Sequence, residues 1–186
     1  MNAYDFDKTI FYPDSSAEFY KFCLRKYPLA VGKTLPKTAA KALCYAVGLA
    51  DAKELKEQLF SFLCKIKNID EAVSEFWRKN EHRIGAWYTE RKKADDLIIS
   101  ASPEFLLEPI CKKLGVSFIG TRMDKYSGKI TGKNCHDTEK VIRFTSEYPD
   151  TRPEEFYSDS KTDSPMAEWA QKSFLVKKHE ISPWRY

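Results

Sequence analysis

The chain has 186 residues, of which 42% are hydrophobic, 14% aromatic and 31% charged, with seven glycines and nine prolines. That length holds one domain, or one domain carrying an insertion, and so many aromatics with so few breakers exclude a linker or a disordered tail. The net charge of +4, left by 31 basic against 27 acidic residues, is too mild to point to nucleic acid.

In chain order, residues 1–13 read as a short strand ending in a charged turn. Between 14 and 90 the apolar residues fall at helical spacing, first Phe19, Phe22 and Cys23, then Leu55, Leu59, Phe62, Leu63 and Ile66. Inside that block Lys33, Lys37 and Lys41 lie four apart, beside an apolar run over 42–50 broken only by Gly48. Such a basic stripe next to apolar surface suits peripheral contact with an anionic membrane. Phe11, Tyr12, Trp77, Trp87 and Tyr88 could line a pocket, although helical spacing favours the core for them. Arg91-Lys92-Lys93 with Asp95-Asp96 reads as a solvated helix end.

The pattern then changes. Leu97-Ile98-Ile99 is a continuous apolar run, the mark of a buried parallel strand. A helix is predicted over 103–114, closed by Gly115. A strand follows at 116–119, then a hairpin over 122–131 turning at Ser127-Gly128. Further on come a helix over 138–148, a strand at Phe156-Tyr157, a helix from about Pro165 and a strand at 174–176. The predicted fold class is α/β, a Rossmann-like parallel sheet sandwiched by helices. Its core would comprise 1–13 and 91–186, with an all-helical insertion over 14–90.

Cys23, Cys44, Cys64, Cys111 and Cys135 form no CxxC pair or Cys/His cluster, so reduced thiols are expected and zinc is not. The opening MNAYDFDKTI lacks the apolar run of a secretory signal, and no stretch of about 18 apolar residues occurs. A cytoplasmic location is the expectation. His82, His136 and His179 show no partner spacing and receive no role.

Three polar strings each follow a strand-like run: Asp5-Phe6-Asp7-Lys8-Thr9, Ser100-Ala101-Ser102-Pro103, and Asp159-Ser160-Lys161-Thr162-Asp163. In an open parallel sheet, ligands bind in the crevice beyond the carboxyl ends of the strands, where all three strings would meet. With Asp5 and Asp7 two apart, one carboxylate can attack while the other handles a proton. Four acids in one crevice repel and hold raised pKa values unless a cation neutralises them, and all-oxygen ligands suit Mg²⁺. A phosphate is the anion such an ion usually serves. Ser102 is predicted as the helix N-cap and Pro103 as the first helical residue, so that the helix N-terminus cradles the phosphate beside the Ser100 hydroxyl. A lysine must balance the phosphoryl oxygens; Lys140 is best placed and Lys133 is the alternative.

These motifs resemble those of the haloacid dehalogenase superfamily of phosphohydrolases, most closely its phosphoserine-phosphatase-like branch. Asp5 to Thr9 matches the first motif, DxDxT. Ile99-Ser100 is similar to the second, Glu139-Lys140-Val141 to the lysine motif, and Asp159 to Asp163 to the DxxxD motif. The resemblance implies a Mg²⁺-dependent phosphomonoesterase working through an aspartyl-phosphate on a small phosphate ester or a lipid head-group phosphate. It implies Asp5 as nucleophile and Asp7 as acid and base. Thr9, Ser100, Ala101, Ser102 and Lys140 would bind the phosphate. The metal would lie on the Asp5 carboxylate, the Asp7 backbone carbonyl and Asp159, with Asp163 acting through water or by orienting Lys140. Residues 14–90 take the place of the helical cap inserted after the first motif. An acid at position 7 favours phosphate esters over carbon–halogen bonds, since a halide needs no proton. A phosphomutase or phosphotransferase, and an inactive phospholigand binder, are the other readings. Two departures stand out: Lys8 replaces a common glycine, and the short C-terminus leaves an edge strand missing or displaced.

Overall fold

The structure, a computed structural model, describes residues 1–178 and 180–185; His179 lies outside the described residues. The short apolar runs become the strands β1 (Ala3–Tyr4), β2 (Leu97–Pro103), β3 (Ser117–Thr121), β4 (Glu155–Ser158) and β5 (Lys172–Lys177), and β6 (Glu180–Pro183) follows. They form one sheet in the order β3-β2-β1-β4-β5-β6. β1 to β5 run parallel, whereas β6 returns antiparallel to β5, with Phe174 opposite Pro183 and Lys177 opposite Glu180. The parallel sheet expected from the sequence is present, and the edge strand expected to be missing or displaced is supplied by the antiparallel β6.

In register, Ala3 lies beside Leu97 and Phe156, and Tyr4 beside Ile98 and Tyr157. Because side chains alternate along a strand, the sheet has two apolar faces. Tyr4, Ile98 and Tyr157 pack on the face covered by α7 (Glu104–Leu114), through Leu106, Leu107 and Ile110. Ala3, Leu97, Ile99 and Phe156 pack on the other, under α8 (Thr138–Glu147) and α9 (Ser164–Trp169), through Phe144 and Met166. Gly115 closes α7 as expected, at φ +70°, a conformation that costs glycine little.

Between β1 and β2 the named elements are helical: α1 (Ser15–Lys26), α2 (Pro28–Gly32), α3 (Leu35–Ala46), α4 (Ala52–Phe60), α5 (Ile69–Asn80) and α6 (Ala86–Thr89), with two short 3₁₀ turns. Local capping sets their starts. Asp14 accepts from the Ala17 N–H, Asp51 and Glu54 form a reciprocal capping box, and Asn68 accepts from the Glu71 N–H. The helices do not build a core of their own. Phe19, Phe60, Phe62 and Phe76 join Phe6, Phe11, Leu106 and Ile110 in a single buried cluster. The Trp77 indole N–H donates to the Leu106 carbonyl at 2.7 Å.

Phe11, Trp77 and Tyr88 are buried in that core, while Tyr12 is exposed. The expected hairpin exists as one antiparallel bridge, Met123 to Ile130, with Gly128 at φ +74°. Asp96 departs from its solvated reading: it is fully buried and accepts from the Asn2 and Lys93 N–H groups at 3.1 and 2.8 Å. All five cysteines are free. Among the described residues no helix is long and apolar enough to cross a membrane.

Candidate active site

β1, β2 and β4 end side by side, so the polar strings that follow them meet. The Asp5 N–H donates to the Tyr157 carbonyl at 2.8 Å, which holds the first string against the third. Thr9 ties them again: its hydroxyl donates to Asp5 Oδ2 at 3.3 Å and accepts from the Asp159 N–H at 2.9 Å. Asp5, Asp7, Ser100, Lys140, Asp159 and Asp163 line a crevice of about 180 Å³. Wider hollows of about 460 and 480 Å³ elsewhere carry no such set of converging acids.

Lys140 rises from the first turn of α8 and is 1% exposed. Its ammonium donates to Asp5 Oδ1 at 2.6 Å and to Asp163 Oδ2 at 2.8 Å. Ser158 donates to the same Asp163 oxygen at 2.7 Å. Lys133 is exposed at the surface, so Lys140 is the lysine brought into the crevice. Asp7 turns aside. Its Oδ1 accepts from the Ser15 N–H at 2.6 Å, and its Oδ2 from the Ser102 hydroxyl at 2.5 Å.

Ser102 is therefore not the N-cap expected of it. It lies within β2, Pro103 occupies the cap position, and no side chain caps α7. The Ser102 hydroxyl stands 2.9 and 3.0 Å from those of Ser15 and Ser16 and supports Asp7. The first residue of α7, Glu104, pairs with Arg143 at 2.9 Å and takes the Gly120 N–H. A carboxylate thus sits at the helix N-terminus that was expected to cradle the phosphate. Ser100 lines the crevice, and its hydroxyl accepts from the Ser102 N–H at 3.1 Å.

Burial pushes Asp5 up to about 7; Asp163 adds to the rise and Lys140 opposes it. Burial also lifts Asp7 to about 6, with Asp14 contributing. Asp159 is raised, again chiefly by burial, against the pull of Lys177 and Lys8. Burial works against the charge on Lys140, but Asp5 and Asp163 outweigh it and hold the ammonium protonated. The crevice is a place with more negative charge than its own cations relieve, which is the condition a divalent cation satisfies. Among the described residues no three acidic, His or Cys side chains stand as a ready-made metal cluster. Two carboxylates and a backbone carbonyl, as the resemblance implies, need no such cluster, so the donor chemistry fits Mg²⁺.

Four further groups bear on the site and were not found from the sequence. Asp14 and His136 stand on the crevice wall. Ser15 holds Asp7, as above. Lys56, from α4, donates to the Ala101 carbonyl at 2.8 Å and to Asn134 Oδ1 at 2.7 Å, so the helical segment grips the end of β2. Only the Asp-Ser-Ser helix start near residue 15 left a local signal; the others meet the site through long-range contacts. Phe11, Tyr12, Trp77, Trp87 and Tyr88 do not line this crevice.

Known proteins agree with this architecture. Protein CicA of Caulobacter vibrioides is 29% identical over 177 residues, covering 88% of this chain and 80% of its own length. The solved structure of a protein of unknown function from Bordetella pertussis Tohama I superposes with a TM-score of 0.79 at 19% identity, over 95% of this chain and 89% of that one. A phosphoserine phosphohydrolase-like protein from Francisella tularensis subsp. tularensis SCHU S4 follows at a TM-score of 0.61 and 15% identity, over 96% and 88% of the two chains. The haloacid dehalogenase-like hydrolase model matches residues 3–168. With that match running from the first strand to the last helix, the chain belongs to the haloacid dehalogenase-like hydrolase family.

Proposed function

We propose that the protein is a Mg²⁺-dependent phosphomonoesterase in which residues 14–90 act as a helical cap. The observation that carries the reading is the buried Lys140 ammonium set between Asp5 and Asp163 in a crevice also walled by Ser100 and Asp159. In the first step the Asp5 carboxylate attacks phosphorus, a phosphorus–oxygen bond forms to Asp5, and the bond to the leaving oxygen breaks. Asp7 donates its proton to that oxygen. In the second step Asp7 takes a proton from water, whose oxygen attacks phosphorus and releases Asp5 and inorganic phosphate. A folded-state value near 6 suits a group that must hold a proton in one step and accept one in the next. Ser102 and Ser15 aim Asp7, while Lys140, Ser100, Thr9 and the Ala101 backbone receive or frame the phosphoryl oxygens. Asp5, the Asp7 carbonyl and Asp159 would hold Mg²⁺, which when bound would neutralise the phosphoryl charge.

The crevice, about 180 Å³ and open to solvent, has room for a phosphoryl group. A small phosphate ester and a lipid head-group phosphate both present one. The test is release of inorganic phosphate from p-nitrophenyl phosphate by purified protein with Mg²⁺. Asp5→Asn is expected to lower kcat by more than about 10²-fold with an unchanged circular dichroism spectrum. A smaller loss would remove Asp5 from the nucleophile's role.

A further inference from the structure

Large apolar side chains exposed to solvent concentrate in one short stretch of the helical segment: Leu29 at 80%, Leu43 at 67%, Val47 at 61% and Leu49 at 78%, with Leu35 and Tyr45 also exposed. α3 lies at its centre and has no buried residue. With 3.6 residues per turn, Leu35, Ala39, Leu43 and Ala46 share one side of that helix. The other side carries the contacts to α4: the Thr38 hydroxyl lies 3.4 Å from the Gln58 carbonyl, and the Lys41 ammonium 3.6 Å from Glu54. α3 therefore sets Thr38 and Lys41 against α4 and turns its apolar side to solvent, the reverse of a helix on an ordinary globular surface. Exposed apolar side chains concentrated in this way mark an interaction site.

The charge pattern selects the occupant. Residues 27–50 contain Lys33, Lys37 and Lys41 and no Asp or Glu. Lys33 and Lys37 are exposed, and Lys26 and Lys65 share a hollow with Leu29 and Lys33. A second copy docked face to face would set Lys33 and Lys37 against lysines, the nearest acids being Asp51, which caps α4, and Glu54, which Lys41 already holds. A bilayer rich in anionic lipid meets both demands: leucine and valine enter the boundary between headgroups and acyl chains, and the lysines reach the lipid phosphates.

We propose that α2, α3 and the turn after α3 form a dock for an anionic membrane surface. The dock stands on exposure and charge, independently of the phosphatase reading. It lies on α4, the helix whose Lys56 grips Ala101 at the crevice.

The full chain is tested by co-sedimentation with vesicles of phosphatidylcholine alone, or of equal parts phosphatidylcholine and phosphatidylglycerol. Binding is expected to the mixed vesicles and to weaken with salt. Leu43→Asp/Leu49→Asp changes exposed side chains and is expected to lower binding at least tenfold, with turnover of a soluble aryl phosphate unchanged. Each of Lys33→Gln and Lys37→Gln is expected to lower it by about fivefold at low salt. Ile142→Asp, exposed on α8 away from the patch, is the control and keeps full binding. The proposal is overturned by absence of binding to the mixed vesicles, or by binding that the leucine substitutions leave intact. It is also overturned by a lipid-free dimer that Leu43→Asp disperses, which would make a second copy the occupant. Vesicle binding without phosphate release would sink the phosphatase reading alone.

Discussion

Asp5 and Asp7 stand two residues apart and are compensated differently. Asp5 has a lysine at 2.6 Å, whereas Asp7 is bonded by the Ser15 N–H and the Ser102 hydroxyl, with the Lys56 charge acting on it without a hydrogen bond and Asp14 as a further acid beside it. Its folded-state value near 6 lies above the 3.8 of a free aspartate. A raised carboxyl value means that the native state takes up a proton more readily than the unfolded chain, so ionisation destabilises the fold. The penalty is complete above about 6 and disappears as pH falls towards 4. Asp7→Asn keeps the shape without the charge. With a chelator present, it is expected to raise Tm at pH 8 and to give no gain near pH 4; in Mg²⁺ it is expected to abolish turnover. A thermal melt at the two pH values checks this; equal Tm shifts at both would show that the charge is not the cause. The DxDxT spacing made these acids legible in the sequence. Ser102 was misread because Ser-Pro is a common helix start. In the fold β2 continues to Pro103, which pairs with Thr121 after a register shift, a place where a residue without an N–H is tolerated.

At the scale of elements, the hairpin after β3 and the helical segment lock together at Gly128. A Cβ there would lie 2.5 Å from the Phe60 carbonyl oxygen, and the backbone is at φ +74°. Both the turn and the contact require glycine. Neighbouring contacts reinforce the joint: Lys129 pairs with Glu57 at 2.9 Å, and the Ile130 N–H donates to the same carboxylate at 3.0 Å. Gly128→Ala is expected to cost about 1–3 kcal/mol in urea unfolding, since left-handed strain and overpacking each act in that range. A change below about 0.5 kcal/mol would mean that the hairpin yields freely. The turn was legible from Ser127-Gly128, but its partner was not, because no local pattern reports which distant backbone a glycine must approach. β6 was missed for a related reason. Four residues ending in proline carry little strand signal, and their placement depends on the exposed edge of β5.

At the scale of the molecule, the change from helical to strand spacing near residue 90 suggests two units, yet packing joins them. Phe6 and Phe11 follow β1, Leu106 and Ile110 belong to α7, and all four share one buried cluster with Phe19, Phe60 and Phe76 of the helical segment. Phe11 and Trp77 meet edge to face at 5.2 Å, and Phe19 and Phe105 at 6.2 Å. Polar straps add to this through Lys56 on Ala101 and Trp77 on Leu106. Hydrophobic spacing states that a residue is buried but not which distant surface buries it, so this joint is the part of the fold least visible in the sequence. A segment that shares its core with the sheet cannot melt first without exposing the underside of α7. One unfolding transition is therefore expected, with near- and far-ultraviolet circular dichroism changing together in urea. Deleting residues 15–89 is expected to leave an unfolded or aggregating chain, because Phe6, Leu106, Leu107 and Ile110 would lose their cover. Two separated transitions, or a folded deletion variant, would instead make the helical segment an independent lid. The same coupling bears on function. Because the helical segment shares its core with the sheet, lifting it as a whole away from the crevice would expose Phe6, Leu106 and Ile110.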